Sequence, residues 1–197
     1  MSTVTLVADP AWLFDDKLPG KTRGAANNYD VMPVEAIAHM TLPSEVEVAE
    51  HAYLFLWRVS AQVEEAYKVV REWGFVPKSE IVWQKLTKTG KKHFGMGHHT
   101  RGSHETCIIA TRGRPERKNA GIRSTFEAID PFWFEAQTPL KEDGKVYHSA
   151  KPDEFYKIVE ELTFGPYIEM FSRKYRDGWT VYGNQLPKRG FGFKRSM

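Results

Sequence analysis

The sequence predicts an α/β fold with a mostly parallel central sheet and helices on both faces. Short apolar runs of strand length recur along the chain, a segment with helical spacing follows one of them, and polar residues stand after several. With 197 residues and 41% hydrophobic content, the chain can bury one sizeable core but has little room for a second. We therefore expect one domain over residues 1–186 and a basic C-terminal tail over residues 187–197.

The apolar run at residues 4–8 is typical of a buried strand, and Asp9-Pro10 ends it because proline cannot continue a hydrogen-bonded ladder. Residues 52–57 predict a second buried strand. Ser60 is typical of the N-cap of a helix whose apolar residues recur at helical spacing, and Gly74 is typical of its end. Together these segments predict a unit of strand followed by helix.

Four further strands are predicted at residues 79–83, 106–110, 167–171 and 179–182. Residues 113–127 have the composition of an irregular linker. Pro152 suits the first position of a helix, and the acidic residues of the next turn, with an apolar face behind them, predict a helix there.

Charge is distributed unevenly along the chain, although the net charge is only +3. No acidic residue lies between Ile81 and His104, where the basic residues are Lys85, Lys88, Lys91, Lys92 and Arg101. The tail also lacks acids and carries Lys188, Arg189, Lys194 and Arg195. Such segments are typical of phosphate-binding loops and equally of solvated surface loops, so charge alone leaves both interpretations open.

The single cysteine, Cys107, excludes an internal disulfide, and no apolar stretch approaches the roughly 18 residues that a membrane span needs. The N-terminus lacks the basic and apolar regions of a signal peptide. The sequence therefore predicts a reducing, cytoplasmic environment and no membrane partner.

Polar side chains stand where the predicted strands end: Asp9, Arg58, Lys85, Arg173 and Asn184. Open α/β sheets bind ligands in the crevice outside the carboxyl ends of their strands. Each of these residues alone fits a surface position. Their shared position predicts a binding site at one edge of the sheet.

The segment Asp9-Pro10-Ala11-Trp12 fits chemistry on the N6 amine of adenine. That amine is a poor nucleophile because its lone pair is delocalised into the ring. The Asp9 carboxylate and the Pro10 carbonyl are two acceptors for its N–H groups, which leaves the lone pair directed at a methyl donor, and Trp12 suits stacking on the base. The alternative interpretation is a strand end followed by a core tryptophan.

A series of further motifs follows in fixed order: Leu56-Trp57, Ile81-Val82-Trp83-Gln84-Lys85, His148-Ser149-Ala150-Lys151-Pro152-Asp153-Glu154, Glu169-Met170-Phe171-Ser172-Arg173 and Trp179-Thr180-Val181-Tyr182-Gly183-Asn184-Gln185. With this series, over residues 4–186, the chain resembles the MT-A70 family of adenine-N6 methyltransferases. The resemblance implies a Rossmann-like class I methyltransferase fold, S-adenosylmethionine as methyl donor and adenine in nucleic acid as acceptor.

By resemblance, Asp9, Pro10, Ala11 and Trp12 form the catalytic motif, and Asp9 also lies near the amino group of the donor. Lys151 is implied to meet the donor carboxylate, since an anion offsets the repulsion between a lysine and a helix N-terminus; a solvated lysine is the alternative. The other implied donor contacts are Arg173, Asn184 and Gln185. The implied nucleic-acid contacts are Trp12, Tyr29, Trp57, Trp83, Lys85, Lys88, Lys91, Lys92 and Arg101.

The chain departs from the family pattern at three places. Ala11 replaces the second proline of the catalytic motif, and Tyr175 and Arg176 replace polar residues near the donor ribose. Few residues precede the first strand, so we expect the donor adenine to be held without the upstream segment of larger relatives. No metal is expected, because the spacing of His93, His98, His99 and His104 fits no familiar zinc pattern.

Three functions remain open from sequence. Adenine in DNA is the favoured acceptor, because the compact chain resembles prokaryotic and phage members of the family. RNA is the second, and a non-catalytic nucleic-acid-binding subunit is the third, against which the intact Asp9, Pro10, Trp12 and Lys151 argue. The sequence does not choose between a monomer, a homodimer and a heterodimer.

Overall fold

The computed structural model of the chain describes residues 3–13, 31–95, 97, 99–131, 150–184 and 186. Its strands are β1 (Thr3–Ala8), β2 (His51–Arg58), β3 (Val76–Leu86), β4 (His104–Arg112), β5 (Thr125–Ile129), β6 (Tyr167–Met170) and β7 (Trp179–Tyr182). Its helices are α1 (Val34–Ala38), α2 (Ser44–Glu47), α3 (Val63–Glu72) and α4 (Asp153–Leu162). The predicted basic tail lies outside the described residues.

The strands form one sheet in the order β5-β3-β4-β2-β1-β6-β7. β4 runs antiparallel to β2 and β3, and every other neighbouring pair is parallel. Six strands therefore end at the same side of the sheet, which we call the carboxyl edge, and β4 begins there. The mostly parallel, Rossmann-like sheet that the sequence predicts is confirmed.

Helices cover both faces of this sheet, as predicted. α1, α2 and α3 pack on one face around Leu6, Leu54 and Ile108, whereas α4 packs on the other face around Phe55 and Trp57. Successive residues of a strand point to opposite faces, so neighbours such as Leu54 and Phe55 enter different cores. Because both faces are covered, the central strands are continuous apolar runs instead of alternating ones.

The structure corrects several predicted boundaries. α3 follows Gln62, without a side-chain cap, and Ser60 lies in the preceding turn. Pro152 is the N-cap of α4, because its ψ of 150° is extended and not helical. β6 ends at Met170, since Phe171 has a φ of 63°, outside the strand region.

Three elements have no clear sequence signal. α1 and α2 have only five and four residues, too few to show helical periodicity. β5 begins within the segment whose composition predicts an irregular linker, and its extended conformation comes from parallel pairing with β3. No helix among the described residues is long and apolar enough to cross a membrane.

Candidate active site

The carboxyl edge gathers four of the five polar residues that follow predicted strands. Asp9 comes directly after β1, Lys85 lies near the end of β3, and Arg173 and Asn184 follow β6 and β7. Arg58 is the exception: its guanidinium pairs with Glu80 at 3.2 Å. The same Glu80 carboxylate accepts a hydrogen bond from Tyr67 of α3, so the Arg58 side chain lies on the α3 side of the sheet.

Two cavities meet at Asp9. The first, of about 240 Å³, lies beside the start of α4, and its described lining includes Lys151, Tyr156 and Glu169. The second, of about 320 Å³, is lined by Ala11, Met32, Met40, Met170, Tyr182, Gly183 and Asn184. Asp9, Phe171 and Arg173 line both cavities. A charged cavity joined to an apolar one suits a ligand with a charged end and a flat aromatic end.

The segment Asp9-Pro10-Ala11-Trp12 is held by hydrogen bonds to the strand-like segment at Met32. The Met32 N–H donates to the Ala11 carbonyl at 2.7 Å, and the Leu13 N–H donates to the Met32 carbonyl at 2.9 Å. Alanine in place of the family proline therefore still has a fixed backbone. The Pro10 carbonyl accepts the Trp12 N–H at 2.9 Å, and since a carbonyl oxygen has two lone pairs, a second acceptor position remains on it.

Five charged side chains form a continuous chain of ion pairs at the carboxyl edge. Lys151 Nζ lies 2.7 Å from Asp9 Oδ2 and 3.2 Å from Glu105 Oε2. Lys85 Nζ lies 2.6 Å from Glu105 Oε1 and 3.0 Å from Asp130 Oδ2. Glu105 thus bridges the two lysines, and Asp9 stands at one end of the chain. We call these five residues the ion-pair chain.

Sequence reasoning missed Glu105 and Asp130. The signal was present in part, because Asp130 follows β5 directly and therefore stands at the carboxyl edge. Glu105 is the second residue of β4, and only the reversed direction of that strand places its beginning at the carboxyl edge.

Burial and pairing oppose each other in the ion-pair chain. Burial by itself raises the pKa of Glu105, but the ammonium groups of Lys151 and Lys85 outweigh it and lower this pKa to about 2. Burial likewise lowers the pKa of Lys151, yet Asp9 and Glu105 raise it above its usual value. Glu105 and Asp130 have the same effect on the pKa of Lys85. Each of these three groups is therefore charged at neutral pH because its partners are charged.

Three tryptophans that the resemblance implies as nucleic-acid contacts are buried. Trp12, Trp57 and Trp83 are 3%, 1% and 0% exposed, so the structure places these rings in the core and not at the surface, and their contact with the substrate stays a prediction. The Trp12 Nε1–H donates to the Trp57 carbonyl at 3.0 Å, and the Trp83 Nε1–H donates to the Ala128 carbonyl at 3.0 Å. Packing in the cores on both faces of the sheet takes the rings away from solvent.

Two of these rings form cation–π contacts with the lysines of the ion-pair chain. Lys151 Nζ lies 5.2 Å from the centre of the Trp57 ring, and Lys85 Nζ lies 4.8 Å from that of Trp83. The two rings also pack edge to face, with centroids 6.4 Å apart. Cation–π attraction of this kind strengthens when the cation is shielded from water, so the rings help to hold both lysines in place.

The ends of β6 and β7 lie unusually close together. The Ser172 N–H donates to the Tyr182 carbonyl at 2.9 Å, and a Cβ added at Gly183 would overlap with the Ser172 carbonyl oxygen. Glycine is therefore required at position 183 for this approach. It places Arg173 and Asn184 beside the second cavity.

The segment between β3 and β4, residues 87–103, begins beside the ion-pair chain, and we call it the basic loop. The His93 N–H donates to the Lys85 carbonyl at 2.9 Å, which anchors the loop at the carboxyl edge. Four predicted nucleic-acid contacts on it are exposed: Lys88, Lys91, Lys92 and Arg101. In the part of the chain that the structure describes, no group of histidine, cysteine and acidic residues is arranged to hold a metal ion.

The sequence model of the MT-A70 family matches residues 4–185. The chain belongs to the MT-A70 family. Methyltransferases of this family use S-adenosylmethionine as the methyl donor.

Among curated MT-A70 relatives, the N(6)-adenosine-methyltransferase catalytic subunit METTL3 of Homo sapiens is 25% identical over 190 residues, covering 92% of this chain and 28% of that protein. The putative N(6)-adenosine-methyltransferase MT-A70-like protein of Medicago truncatula is 26% identical, with 92% and 26% covered. The N(6)-adenosine-methyltransferase MT-A70-like protein of Drosophila melanogaster is 25% identical, with 92% and 26% covered. The chain thus spans about a quarter of the length of these relatives.

The first cavity has a feature that fits the MT-A70 donor. Glu169 accepts a hydrogen bond from the Tyr156 hydroxyl at 2.5 Å through Oε1, whereas Oε2 is buried without a hydrogen-bond partner among the described residues. Burial raises the pKa of Glu169, and Tyr156, Arg176 and Ser172 only partly offset this. A buried acceptor without a partner is unfavourable, so a hydroxyl or ammonium group of a bound ligand would stabilise it.

Arg176, a departure from the MT-A70 pattern, contacts two residues that line the first cavity, Tyr156 and Asp153. Its guanidinium lies 3.5 Å from the centre of the Tyr156 ring and 3.0 Å from Asp153 Oδ1. Lys174 binds the same Asp153 oxygen at 2.6 Å. Arg176 therefore ties the segment after β6 to the start of α4. The implied contacts Gln185 and Tyr29 lie outside the described residues.

Proposed function

We propose that this chain transfers the methyl group of S-adenosylmethionine to the N6 amine of adenine, with DNA as its substrate. The observation that carries this proposal is Asp9, which stands where the two cavities meet and is held by Lys151 at 2.7 Å. A carboxylate fixed in that position is set to accept a hydrogen bond from a ligand in one cavity while it faces a second ligand in the other.

Asp9 and Pro10 act on the amine. The Asp9 carboxylate accepts one N–H of the amine, and the second lone pair of the Pro10 carbonyl accepts the other. The nitrogen lone pair is then free to attack the donor methyl carbon as the carbon–sulfur bond breaks. The sulfur keeps that electron pair and leaves as a neutral thioether, and the methylated nitrogen loses one proton to solvent. Acceptors fixed before the reaction stabilise the positive charge that develops on the amine, which is the usual source of such catalysis.

In this proposal, each of the two cavities binds a different part of the donor. The apolar second cavity, with Asn184 at its rim, suits the donor adenine. Lys151 and Arg173, beside the N-terminus of the ten-residue helix α4, suit the donor carboxylate. The buried Glu169 oxygen suits a ribose hydroxyl or the donor ammonium.

DNA and RNA are separated by one experiment. Matched DNA and RNA oligonucleotides are incubated with the protein and donor carrying a deuterated methyl group, and the nucleosides are analysed by mass spectrometry. We expect labelled N6-methyldeoxyadenosine from DNA. Label only in adenosine would assign the chain to RNA, an alternative supported by relatives whose names specify adenosine.

A non-catalytic nucleic-acid-binding subunit is the remaining alternative. The ion-pair chain around Asp9 argues against it, because a binding subunit has no need to hold a paired carboxylate between two cavities. Titration with S-adenosylmethionine in a calorimeter tests this directly. We expect saturable binding, and a purified, folded chain without any would support the subunit.

Lys151→Met is expected to weaken donor binding more than nucleic-acid binding. A charge-assisted contact of this kind is worth about 1.5–3 kcal/mol, and methionine keeps the apolar stem over Trp57. Donor affinity is measured by calorimetry and DNA affinity by fluorescence anisotropy. Lys68→Met is the control, since Lys68 forms an ion pair of 2.6 Å with Glu35 on the exposed surface. Unchanged donor affinity in Lys151→Met would show that Lys151 does not bind the donor carboxylate.

Changing Lys88, Lys91 and Lys92 together to alanine is expected to weaken binding to DNA of any sequence. If each lysine neutralises a phosphate, the slope of log affinity against log salt becomes shallower by roughly 0.9 per lost contact on a duplex. Donor affinity stays the same. The control changes Lys78, Arg114 and Lys157, which are exposed away from the basic loop. Parallel slopes and equal affinities for parent and loop variant would mean that these lysines only face solvent.

A further inference from the structure

One aromatic side chain of the basic loop is left in water. Phe94 is 76% exposed, and it is the one exposed large apolar side chain among the described residues of the loop. Exposed apolar residues are common on protein surfaces, so exposure by itself indicates nothing. Its neighbours make Phe94 different, because it lies in a stretch with no acidic residue from Ile81 to His104.

Arg101 lies over the Phe94 ring. The guanidinium carbon is 5.2 Å from the ring centre, within the range of a cation–π contact. The Gly95 N–H donates to the Gly102 carbonyl at 2.8 Å, so the two segments that carry Phe94 and Arg101 run side by side. A Cβ at Gly95 would lie 2.6 Å from the Gly102 oxygen, so this close approach requires glycine.

The loop places this pair close in the chain to its anchor on Lys85, a residue of the ion-pair chain at the carboxyl edge. Phe94 directly follows His93, whose N–H bonds to the carbonyl of Lys85 in the ion-pair chain. Lys91 and Lys92, three and two residues before Phe94, are exposed. An aromatic ring, an arginine and flanking lysines are the combination with which proteins bind single strands: cations track the backbone while bases stack on the ring.

We propose that Phe94, backed by Arg101, is a stacking platform for an unpaired base next to the target adenine. Arg101 covers one face of the ring, and the base stacks on the other. The bases of an intact duplex already stack on each other, so the platform selects strands that are single or locally opened. This proposal deepens the proposed function. It rests on that function in one respect: the stacked base is taken to be next to the adenine that is methylated.

Charge favours nucleic acid over protein as the occupant. A protein partner usually covers several apolar side chains grouped in one patch, and charged residues are depleted at the centre of such interfaces. Here one exposed ring lies in a stretch of sequence, from Ile81 to His104, that carries exposed basic residues and no acidic one. That surface is complementary to phosphates and bases.

The test compares parent, Phe94→Ala, Phe94→Leu and Phe94→Trp on one short oligonucleotide carrying 2-aminopurine beside adenine. It is offered as single-stranded DNA, as single-stranded RNA and as duplex DNA, and both anisotropy and 2-aminopurine fluorescence are followed over a salt series. Phe94→Ala is expected to weaken single-strand binding roughly 5- to 100-fold, Phe94→Leu to be intermediate and Phe94→Trp to equal the parent. Duplex binding changes less.

The salt slope separates stacking from ionic contact. Phe94→Ala removes no cation, so its slope equals that of the parent while its affinity falls, unlike the lysine variant. The matched control is Phe164→Ala, because Phe164 is also an exposed phenylalanine, has Lys118 Nζ 5.0 Å from its ring centre, and lies just before β6 at the opposite edge of the sheet. We expect this control to bind like the parent.

Equal single-strand affinity of Phe94→Ala and parent, with unchanged 2-aminopurine fluorescence, would overturn the platform. So would a change in oligomeric state of Phe94→Ala, measured by light scattering, without any loss of nucleic-acid binding, because the ring would then serve a protein interface. Failure of the proposed function looks different: the parent would bind strands through Phe94 yet transfer no labelled methyl group to any of them.

Discussion

Asp9→Asn is expected to slow methyl transfer by roughly 10²–10³-fold while the protein stays folded. Asparagine has the same shape as aspartate, but it offers a neutral oxygen and an NH₂ group in place of two anionic oxygens. In the proposed mechanism, the carboxylate is the group that stabilises the positive charge developing on the amine. Single-turnover transfer of labelled methyl to an adenine oligonucleotide measures the rate, and the melting temperature reports the fold.

Glu80→Gln is the matched control for Asp9→Asn. Glu80 also pairs with a basic side chain, Arg58 at 3.2 Å, but on the α3 side of the sheet, outside the two cavities. We expect its transfer rate to match that of the parent. A folded Asp9→Asn protein that transfers methyl groups at the parental rate would remove Asp9 from the mechanism.

Glu105→Ala is expected to destabilise the fold by roughly 3–5 kcal/mol, because it leaves two buried ammonium groups without the carboxylate between them. Lys85 and Lys151 have side-chain exposures of only 15% and 3%, so water cannot replace that carboxylate. Urea denaturation gives the free energy of unfolding. Glu105→Gln keeps the volume and removes only the charge, which separates the electrostatic effect from a cavity.

The stability that Glu105 contributes should decrease as the pH falls. The pKa of Glu105 is about 2 in the folded chain against an ordinary value of 4.5. Because the folded pKa is the lower one, the stabilisation is fully present above about pH 4.5 and is lost as pH falls toward 2, and it amounts to about 3 kcal/mol. The difference in unfolding free energy between parent and Glu105→Gln should therefore shrink from pH 6 to pH 3.

Glu35→Gln is the control for this pair of variants. Glu35 binds Lys68 at 2.6 Å, as short as the contact between Glu105 and Lys85, but the side chains of Glu35 and Lys68 are both exposed. Solvent screens such a pair, so we expect nearly unchanged stability and little dependence on pH. Equal, small effects of Glu105→Gln and Glu35→Gln would contradict a structural role of the ion-pair chain.

The sequence by itself determined the class of fold and the position of Asp9. Apolar runs long enough for strands, ended by Asp9-Pro10 or followed by a helix, carry local information that survives in the folded chain. Family motifs in a fixed order then identified the family and the residues Asp9, Lys151, Arg173 and Asn184, which the structure brings to one edge.

Only the tertiary structure decided the partners of those residues. Glu105 and Lys151 are 46 positions apart in the sequence, and no local pattern shows that reversing β4 places them 3.2 Å from each other. β5 could not be predicted from local sequence either, because its conformation comes from pairing with β3, a strand distant in the sequence. Trp57 and Trp83 look alike in sequence whether they face a base or a core, because burial is a property of what packs around a residue and not of its type.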